Sequence, residues 1–193
     1  VVPNLTIPFM KIVEGYLTSK PVIVDSSLKI RLKLSVDNPA SVGADRICNA
    51  VAGFQKYGGP LVVLDFGTAT TFDVITKDNE FIGGIIAPGI EMTANILHKL
   101  AAKLPKVELR FPAAVIGKNT ETNIQSGLMY GTVDLINGLL NRIEKELGQQ
   151  IKTITTGGMA KVVTPYLNRE VKIEHDLTLQ GLRLIFEQVK NNK

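Results

Sequence analysis

The chain has 193 residues, of which 45% are hydrophobic, enough to bury a substantial core in one or two compact units. Charged residues make up 21% and the net charge is only +4, with no dense lysine and arginine block, so the composition does not ask for nucleic acid and suits a protein that handles small anions. The single cysteine, Cys48, excludes an internal disulfide and a multi-cysteine metal cluster and fits a reducing cytosol, and no apolar run is long enough to span a membrane.

The chain opens with Val-Val-Pro-Asn-Leu-Thr, which has neither a basic start nor a signal-peptide layout. It also lacks an initiator methionine, so it is expected to begin inside a longer protein. Residues 3–17 carry Leu5, Phe9, Ile12, Val13 and Tyr16 or Leu17 at helical spacing, with Pro3 at the start and Pro8 awkwardly inside. Residues 21–25 read as a short strand, and Asp37-Asn38-Pro39 as a turn. From Val42, the positions Ala44, Ile47, Ala50, Val51 and Phe54 describe one face of a helix, stopped by Gly58-Gly59-Pro60.

A continuous apolar run, residues 61–64, reads as a buried strand, followed by residues 71–76 and 81–87 as two more. The polar stretch Lys77-Asp78-Asn79-Glu80 turns the chain between the last two, so the three form an antiparallel meander. Residues 90–104 follow as a helix and 105–118 as a loop. Asn119 or Thr120 can cap a long helix with the stripe Ile124, Leu128, Leu135, Leu139, Ile143 and Leu147, ending at Gly148. Gly127 and Gly131, one turn apart on it, suggest close approach of another backbone. Residues 151–155 form a strand, 160–167 a short helix, 170–174 a strand and 177–190 a terminal helix. This order gives a mixed sheet with helices on its faces, in which ligands tend to sit at the carboxyl ends of strands.

Four stretches could carry chemistry. At the end of the first meander strand stand Asp65, Gly67, Thr68, Thr70 and Thr71. Threonine hydroxyls and backbone N–H groups can donate to phosphate oxygens, and a carboxylate can hold a cation or water; an ordinary strand-to-turn junction uses the same residue types. Gly43-Ala44-Asp45-Arg46 opens a helix, where the dipole keeps a carboxylate ionised and an arginine fork suits a carboxylate or phosphate; Asp45 as a plain cap and Arg46 as a surface charge also fit. Gly157-Gly158 after a strand lets a base or phosphate lie against backbone, or simply makes a turn. Gly117-Lys118-Asn119-Thr120 offers free N–H groups to an anion, or caps the helix. His98, His175 and Cys48 have no partner pattern, and neither a Ser/His/Asp order nor a transition-metal cluster is readable.

Asp-x-Gly-Thr at the first bend of a three-strand meander resembles the phosphate loops of the acetate kinase, sugar kinase, chaperone ATPase and actin superfamily. Together with Asp37-Asn38-Pro39, Val42-Gly43-Ala44-Asp45-Arg46, Asp65-Phe66-Gly67-Thr68-Ala69-Thr70-Thr71-Phe72-Asp73, Ile86-Ala87-Pro88-Gly89, Gly117-Lys118-Asn119-Thr120, Gln125-Ser126-Gly127 and Thr156-Gly157-Gly158, it makes nearly the whole chain resemble type III pantothenate kinase. Some members of that family have been labelled Baf-type transcriptional activators.

The resemblance implies an actin-like ATPase (ribonuclease H-like) α/β fold. Residues 1–60 would be the remainder of a truncated first lobe and residues 61–193 a complete second lobe. It implies transfer of the γ-phosphate of ATP, with Mg²⁺, to the hydroxyl of pantothenate in the cytoplasm, the first step of coenzyme A synthesis. Asp45 is then the catalytic base. Gly43, Ala44, Asp45 and Arg46 line the pantothenate site, with Arg46 facing the substrate carboxylate. Asp65 holds potassium or ammonium; Gly67, Thr68, Gly157 and Gly158 meet ATP; and Thr120 reaches pantothenate from the partner subunit of a homodimer, with the long helix as its candidate surface. Two departures stand out. Val36 occupies the place of the usual tyrosine in Tyr-x-Asn-Pro, so that aromatic contact is missing or supplied elsewhere. The first phosphate loop, Asp-x-Gly-Asn-Thr, is not among these residues and is expected on a preceding segment or a separate chain, as in a split kinase. The alternative expectation is a non-catalytic, regulatory protein on the same fold. Another kinase of the superfamily is a third, against which Gly-Ala-Asp-Arg argues.

Overall fold

The structure, a computed structural model, describes residues 3–17 and 20–191; Val1 and Val2 lie outside them. In chain order the elements are α1 (Pro3–Tyr16), β1 (Lys33–Leu34), α2 (Ala44–Tyr57), β2 (Leu61–Phe66), β3 (Ala69–Ile75), β4 (Glu80–Pro88), α3 (Ile90–Leu100), α4 (Thr120–Leu147), β5 (Lys152–Gly157), α5 (Ala160–Val163), β6 (Lys172–Ile173) and α6 (Leu177–Asn191). The strands make one mixed sheet in the order β1-β4-β3-β2-β5-β6. The meander β2-β3-β4 is antiparallel, while β5 and β6 extend it parallel to β2 on one side and β1 pairs parallel with β4 on the other. No helix among the described residues is long and apolar enough to cross a membrane.

β2 reads as an unbroken apolar run because both faces of the sheet are covered. Val62, Leu64 and Phe66 join the core beneath α4, with Met129, Val133, Ile136 and Leu140. Leu61 and Val63 point the other way, into a core made by Ile47 and Ala50 of α2 and Leu177 and Ile185 of α6. Val36 packs against this second core and stands over Gly83 of β4, so it serves packing where an aromatic was expected.

Several elements differ from expectation. Residues 21–25 form no strand: Pro21 cannot donate to a ladder, and the segment lies along α1, where Leu5, Phe9, Pro21 and Ile23 line a shallow groove. α1 forms around Pro8, but Leu5, Ile7, Phe9, Ile12 and Tyr16 remain exposed. α3 stops at Leu100, four residues early, as Pro105 bars Leu104 from helical geometry and Ala101 is already extended. The helix at 160–167 is cut to one turn of α5 and a 3₁₀ turn, because Pro165 has no N–H to donate.

α4 begins with Asn119, whose side chain accepts the Thr122 N–H at 2.8 Å, and ends at left-handed Gly148. Its fully buried stripe is Leu128, Met129, Val133, Ile136, Leu140 and Ile143; of the expected stripe Leu128 and Ile143 are in it, Ile124, Leu139 and Leu147 pack partly buried beside it, and Leu135 is 42% exposed. Among the described residues nothing lies within 4 Å of where a Cβ would stand at Gly127 or Gly131, so their bareness serves no packing there.

α2 and α6 touch at Gly181. A Cβ there would meet the Cys48 carbonyl oxygen at 2.1 Å, so the helices can only close on a glycine. Cys48 is itself buried, and burial pushes its thiol up to about 11, which fits a packing role. Gly181→Ala should therefore destabilise the protein by about 1–3 kcal/mol in urea unfolding, as overpacking does. Gly138→Ala, on an exposed turn of α4 with no neighbour within 4 Å, should instead stabilise it by about 0.5–1 kcal/mol.

Candidate active site

Residues alternate faces along a strand, so Asp65 of β2 follows Leu61 and Val63 onto the α2 side. In the antiparallel register Asp65 lies opposite Thr71, and Asp73 lies opposite Val63. The two carboxylates are thus diagonal neighbours beneath α2, whose first two turns carry Asp45, Arg46 and Asn49.

Asp45 sits in the first turn of α2, partly buried, and its Oδ1 accepts the Arg46 backbone N–H at 2.8 Å. Its other oxygen accepts no hydrogen bond from the described residues. Arg46 donates from Nε to Oδ1 of Asp73 at 2.5 Å, and its guanidinium lies over the Phe81 ring, 5.2 Å from the centroid. Neither terminal nitrogen of Arg46 has a partner among the described residues. Gly84 leaves them room, since a Cβ there would come within 2.9 Å of Nη2.

Asp73 is fully buried, and one of its oxygens has no partner. Burial lifts its pKa from 3.8 to about 6 against the pull of Arg46, and the charges of Asp45 and Asp65 push the same way as burial. Burial also raises the pKa of Asp65, with Asp45 adding to it and the Asn49 amide opposing. Asn49 Nδ2 donates to Asp65 Oδ2 at 2.9 Å, and Thr178 of α6 donates to Asn49 Oδ1 at 2.7 Å. Asp65 has no ion-pair partner among the described residues. Its Oδ1 faces Gly157, which has φ +90°; a Cβ there would lie 2.7 Å from that oxygen. A bare glycine thus keeps open a small space against one carboxylate oxygen, while the other is held by Asn49.

β5 runs parallel to β2 and aligns Phe66 with Gly157, so the two strand ends finish together. The Gly158 N–H donates to the Phe66 carbonyl at 3.0 Å, and the Gly67 N–H to the Ala69 carbonyl at 3.1 Å. On the α3 side of these ends, Gly67, Thr68, Thr70, Glu91, Gly158 and Met159 line a cavity of about 260 Å³. The structure therefore brings the candidates together in two adjoining groups. Gly43, Ala44, Asp45, Arg46 and Asp65 lie on the α2 side, and Gly67, Thr68 and Gly158 on the α3 side, with Gly157 between. Thr120 is exposed at the first position of α4 and makes no side-chain hydrogen bond to either group. The N–H groups of Gly117-Lys118-Asn119-Thr120 are largely engaged in capping: the Lys118 and Asn119 N–H groups both reach the Thr122 hydroxyl. A larger cavity of about 680 Å³ lies at the other end of β5, lined by Lys56, Lys152, Arg169 and Lys172 among others. Its cations are already engaged, by Glu174, the Tyr57 carbonyl, Glu144 and Glu170 respectively, so it offers less to a ligand.

Asn49 and Asp73 are the residues that sequence reasoning missed. A signal existed for both: Asn49 falls one turn after Asp45 on the same helix face, and Asp73 is a lone carboxylate on the buried parity of β3. Because the folded protein holds a proton at Asp73 up to about pH 6, against 3.8 as the ordinary value, this group's contribution to stability is fullest below that window and falls as pH rises through it. The unfolding free energy of the wild type relative to Asp73→Asn should accordingly be most favourable near the bottom of the window and decline toward neutral pH, measured by urea titration at each pH.

The chain matches the family model of type III pantothenate kinase over residues 1–142. The type III pantothenate kinase of Roseiflexus sp. is 49% identical over 187 residues, covering 97% of this chain and 73% of that protein. Those of Acidobacterium capsulatum and Thermomicrobium roseum are 45% and 46% identical, over 97% and 98% of this chain and 69% and 73% of theirs. Among solved structures, a Baf family transcriptional activator from Campylobacter jejuni superposes with a TM-score of 0.60 at 23% identity, covering 99% of this chain and 81% of that one. That likeness speaks for the fold, a mixed sheet with flanking helices of the actin-like ATPase kind. With close to half its residues shared across almost its whole length, this chain belongs to the type III pantothenate kinase family.

Proposed function

We propose that the protein transfers the γ-phosphoryl group of Mg²⁺-bound ATP to the primary hydroxyl of pantothenate, yielding 4′-phosphopantothenate and ADP. The observation that carries this reading is the start of α2. There a carboxylate with a free oxygen stands beside a guanidinium with two free terminal nitrogens, over the ends of β2 and β5.

The Arg46 fork receives the substrate carboxylate, and the backbone of Gly43 and Ala44 lines the same pocket. This fixes pantothenate at its acid end and places its hydroxyl near Asp45. Asp45 takes the hydroxyl proton as the oxygen attacks the γ-phosphorus and the bond to the β-phosphate oxygen breaks. Phosphoryl transfer asks the protein chiefly for positioning and charge neutralisation. Thr68 and the bare backbone of Gly67, Gly157 and Gly158 allow phosphate oxygens to come close. Asp65 fits a monovalent cation, potassium or ammonium: one oxygen is fixed by Asn49, and the other faces the space that Gly157 keeps open. Such a cation supplies positive charge beside the phosphates. Residues 1–60, with the substrate-site helix, complement residues 61–193 as parts of two lobes, and the first phosphate loop comes from a preceding segment or another chain. Thr120, exposed on this chain, contacts pantothenate bound by the partner in a homodimer. The cytosol, where ATP is the donor and Cys48 stays reduced, is the setting.

Assayed with the first phosphate loop present and potassium or ammonium added, the protein should consume ATP only when pantothenate is supplied. Asp45→Asn should lower kcat by about 10²–10⁴-fold with the fold intact, the usual worth of a general base. Asp65→Asn should lose the activation by the monovalent cation. A folded protein that binds neither ATP nor pantothenate would end this reading and favour a regulatory role.

A further inference from the structure

Asp73 is a fully buried carboxylate that none of the steps above employs. Its one strong interaction is with Arg46, through Nε alone. That choice of nitrogen matters. An arginine held by a carboxylate at both terminal nitrogens has spent its fork; held at Nε, it keeps the terminal pair for another anion. Two further contacts restrict the same guanidinium: the Phe81 ring beneath it, and the bare backbone of Gly84 beside Nη2. Neither the ring nor the glycine supplies a hydrogen bond, so Asp73 alone gives the guanidinium a directional anchor. The groups that bear on Asp73 are Arg46 and Asp45 from α2 and Asp65 from β2; β4 contributes Gly84 opposite it, with no charge.

We propose that Asp73 is a positioning residue for substrate selection: by tethering Nε of Arg46 from inside the sheet, it holds the two terminal nitrogens ready for the carboxylate of the phosphate acceptor. The assignment rests on the phosphotransfer reading above, and it makes acids rather than neutral alcohols of the same skeleton the preferred acceptors. The Arg46 side chain is only 16% exposed, and without the bond from Nε the Phe81 ring alone would orient its guanidinium among the described residues.

The test compares Asp73→Ala, which removes the anchor, with Asp73→Asn, which keeps an oxygen acceptor of the same size. Steady-state kinetics are run with pantothenate and with its alcohol analogue, in which the carboxylate is replaced by a hydroxymethyl group. The Ala variant should raise KM for pantothenate about ten- to hundredfold, the scale of a misplaced binding group, with kcat and KM for ATP little changed. The Asn variant should recover part of that loss, and neither should alter KM for the alcohol analogue. If Asp73→Ala does not fold, Asp73→Asn carries the same comparison, with a smaller rise confined to pantothenate. An equal rise for both acceptors, or a fall in kcat with KM unchanged, would overturn the assignment. A wild-type protein with no pantothenate-dependent turnover would instead overturn the phosphotransfer reading, and this inference with it.

Discussion

A carboxylate on the inner face of a covered sheet must find a partner or give up its charge, and the architecture around α2 follows from that demand. β2 and β3 are closed in on both sides, and strand parity sends Asp65 and Asp73 into the same buried layer. Each is met by one side chain of α2: Asp73 by the guanidinium of Arg46, Asp65 by the amide of Asn49. These two contacts agree with the buried apolar face of α2 on one rotation of the helix about its axis, which also carries Asp45 to the strand ends. Breaking a buried ion pair by deleting one partner costs on the order of 3–5 kcal/mol, so this arrangement is enforced more strongly than apolar packing alone would enforce it.

The two acids are treated differently. Asp73 has a full positive charge beside it, whereas Asp65 has only a neutral amide and an open space maintained by Gly157. Burial raises the pKa of both acids; at Asp73 the Arg46 guanidinium opposes it, whereas at the partly buried Asp65 only the Asn49 amide does. The site is therefore asymmetric by construction. One acid is engaged by a guanidinium of α2, and the other has no charged partner among the described residues.

Much of the fold was legible because strands sandwiched between layers of helix write themselves as apolar runs, and because glycine and proline punctuate their ends. The meander, the start and end of α4 and the α2 face were all readable on that basis. What escaped was what depends on partners far away in sequence. Residues 21–25 have strand composition but no strand to pair with. The α4 stripe was largely readable, but Met129, Val133, Ile136 and Leu140, which face β2, were not in it and Leu135, which was, faces outward. Of the site, Asp45, Arg46, Asp65 and the glycine loops stand in recognisable local patterns, and the structure gathers them at the strand ends. Asn49 and Asp73 carry only faint local signals, a helix face shared with Asp45 and the buried parity of β3; their importance lies in what they face across the layer, which the packing of α2 on the sheet reveals. Thr120 is the converse case, conspicuous in the sequence yet exposed at the first position of α4 with no side-chain hydrogen bond to another site residue.

The bond from Thr178 to Asn49 joins the beginning of the last helix to the acid at the end of β2 through a single amide. Two hydrogen bonds thus connect positions 113 residues apart, 65 and 178, by way of position 49. α6 is consequently not an interchangeable lid on the sheet. A chimera that borrowed its last helix from another protein could restore every apolar contact with α2 and still leave the amide of Asn49 free to rotate. The carboxylate beneath it would then lose its fixed orientation, although no residue near the strand ends had been touched.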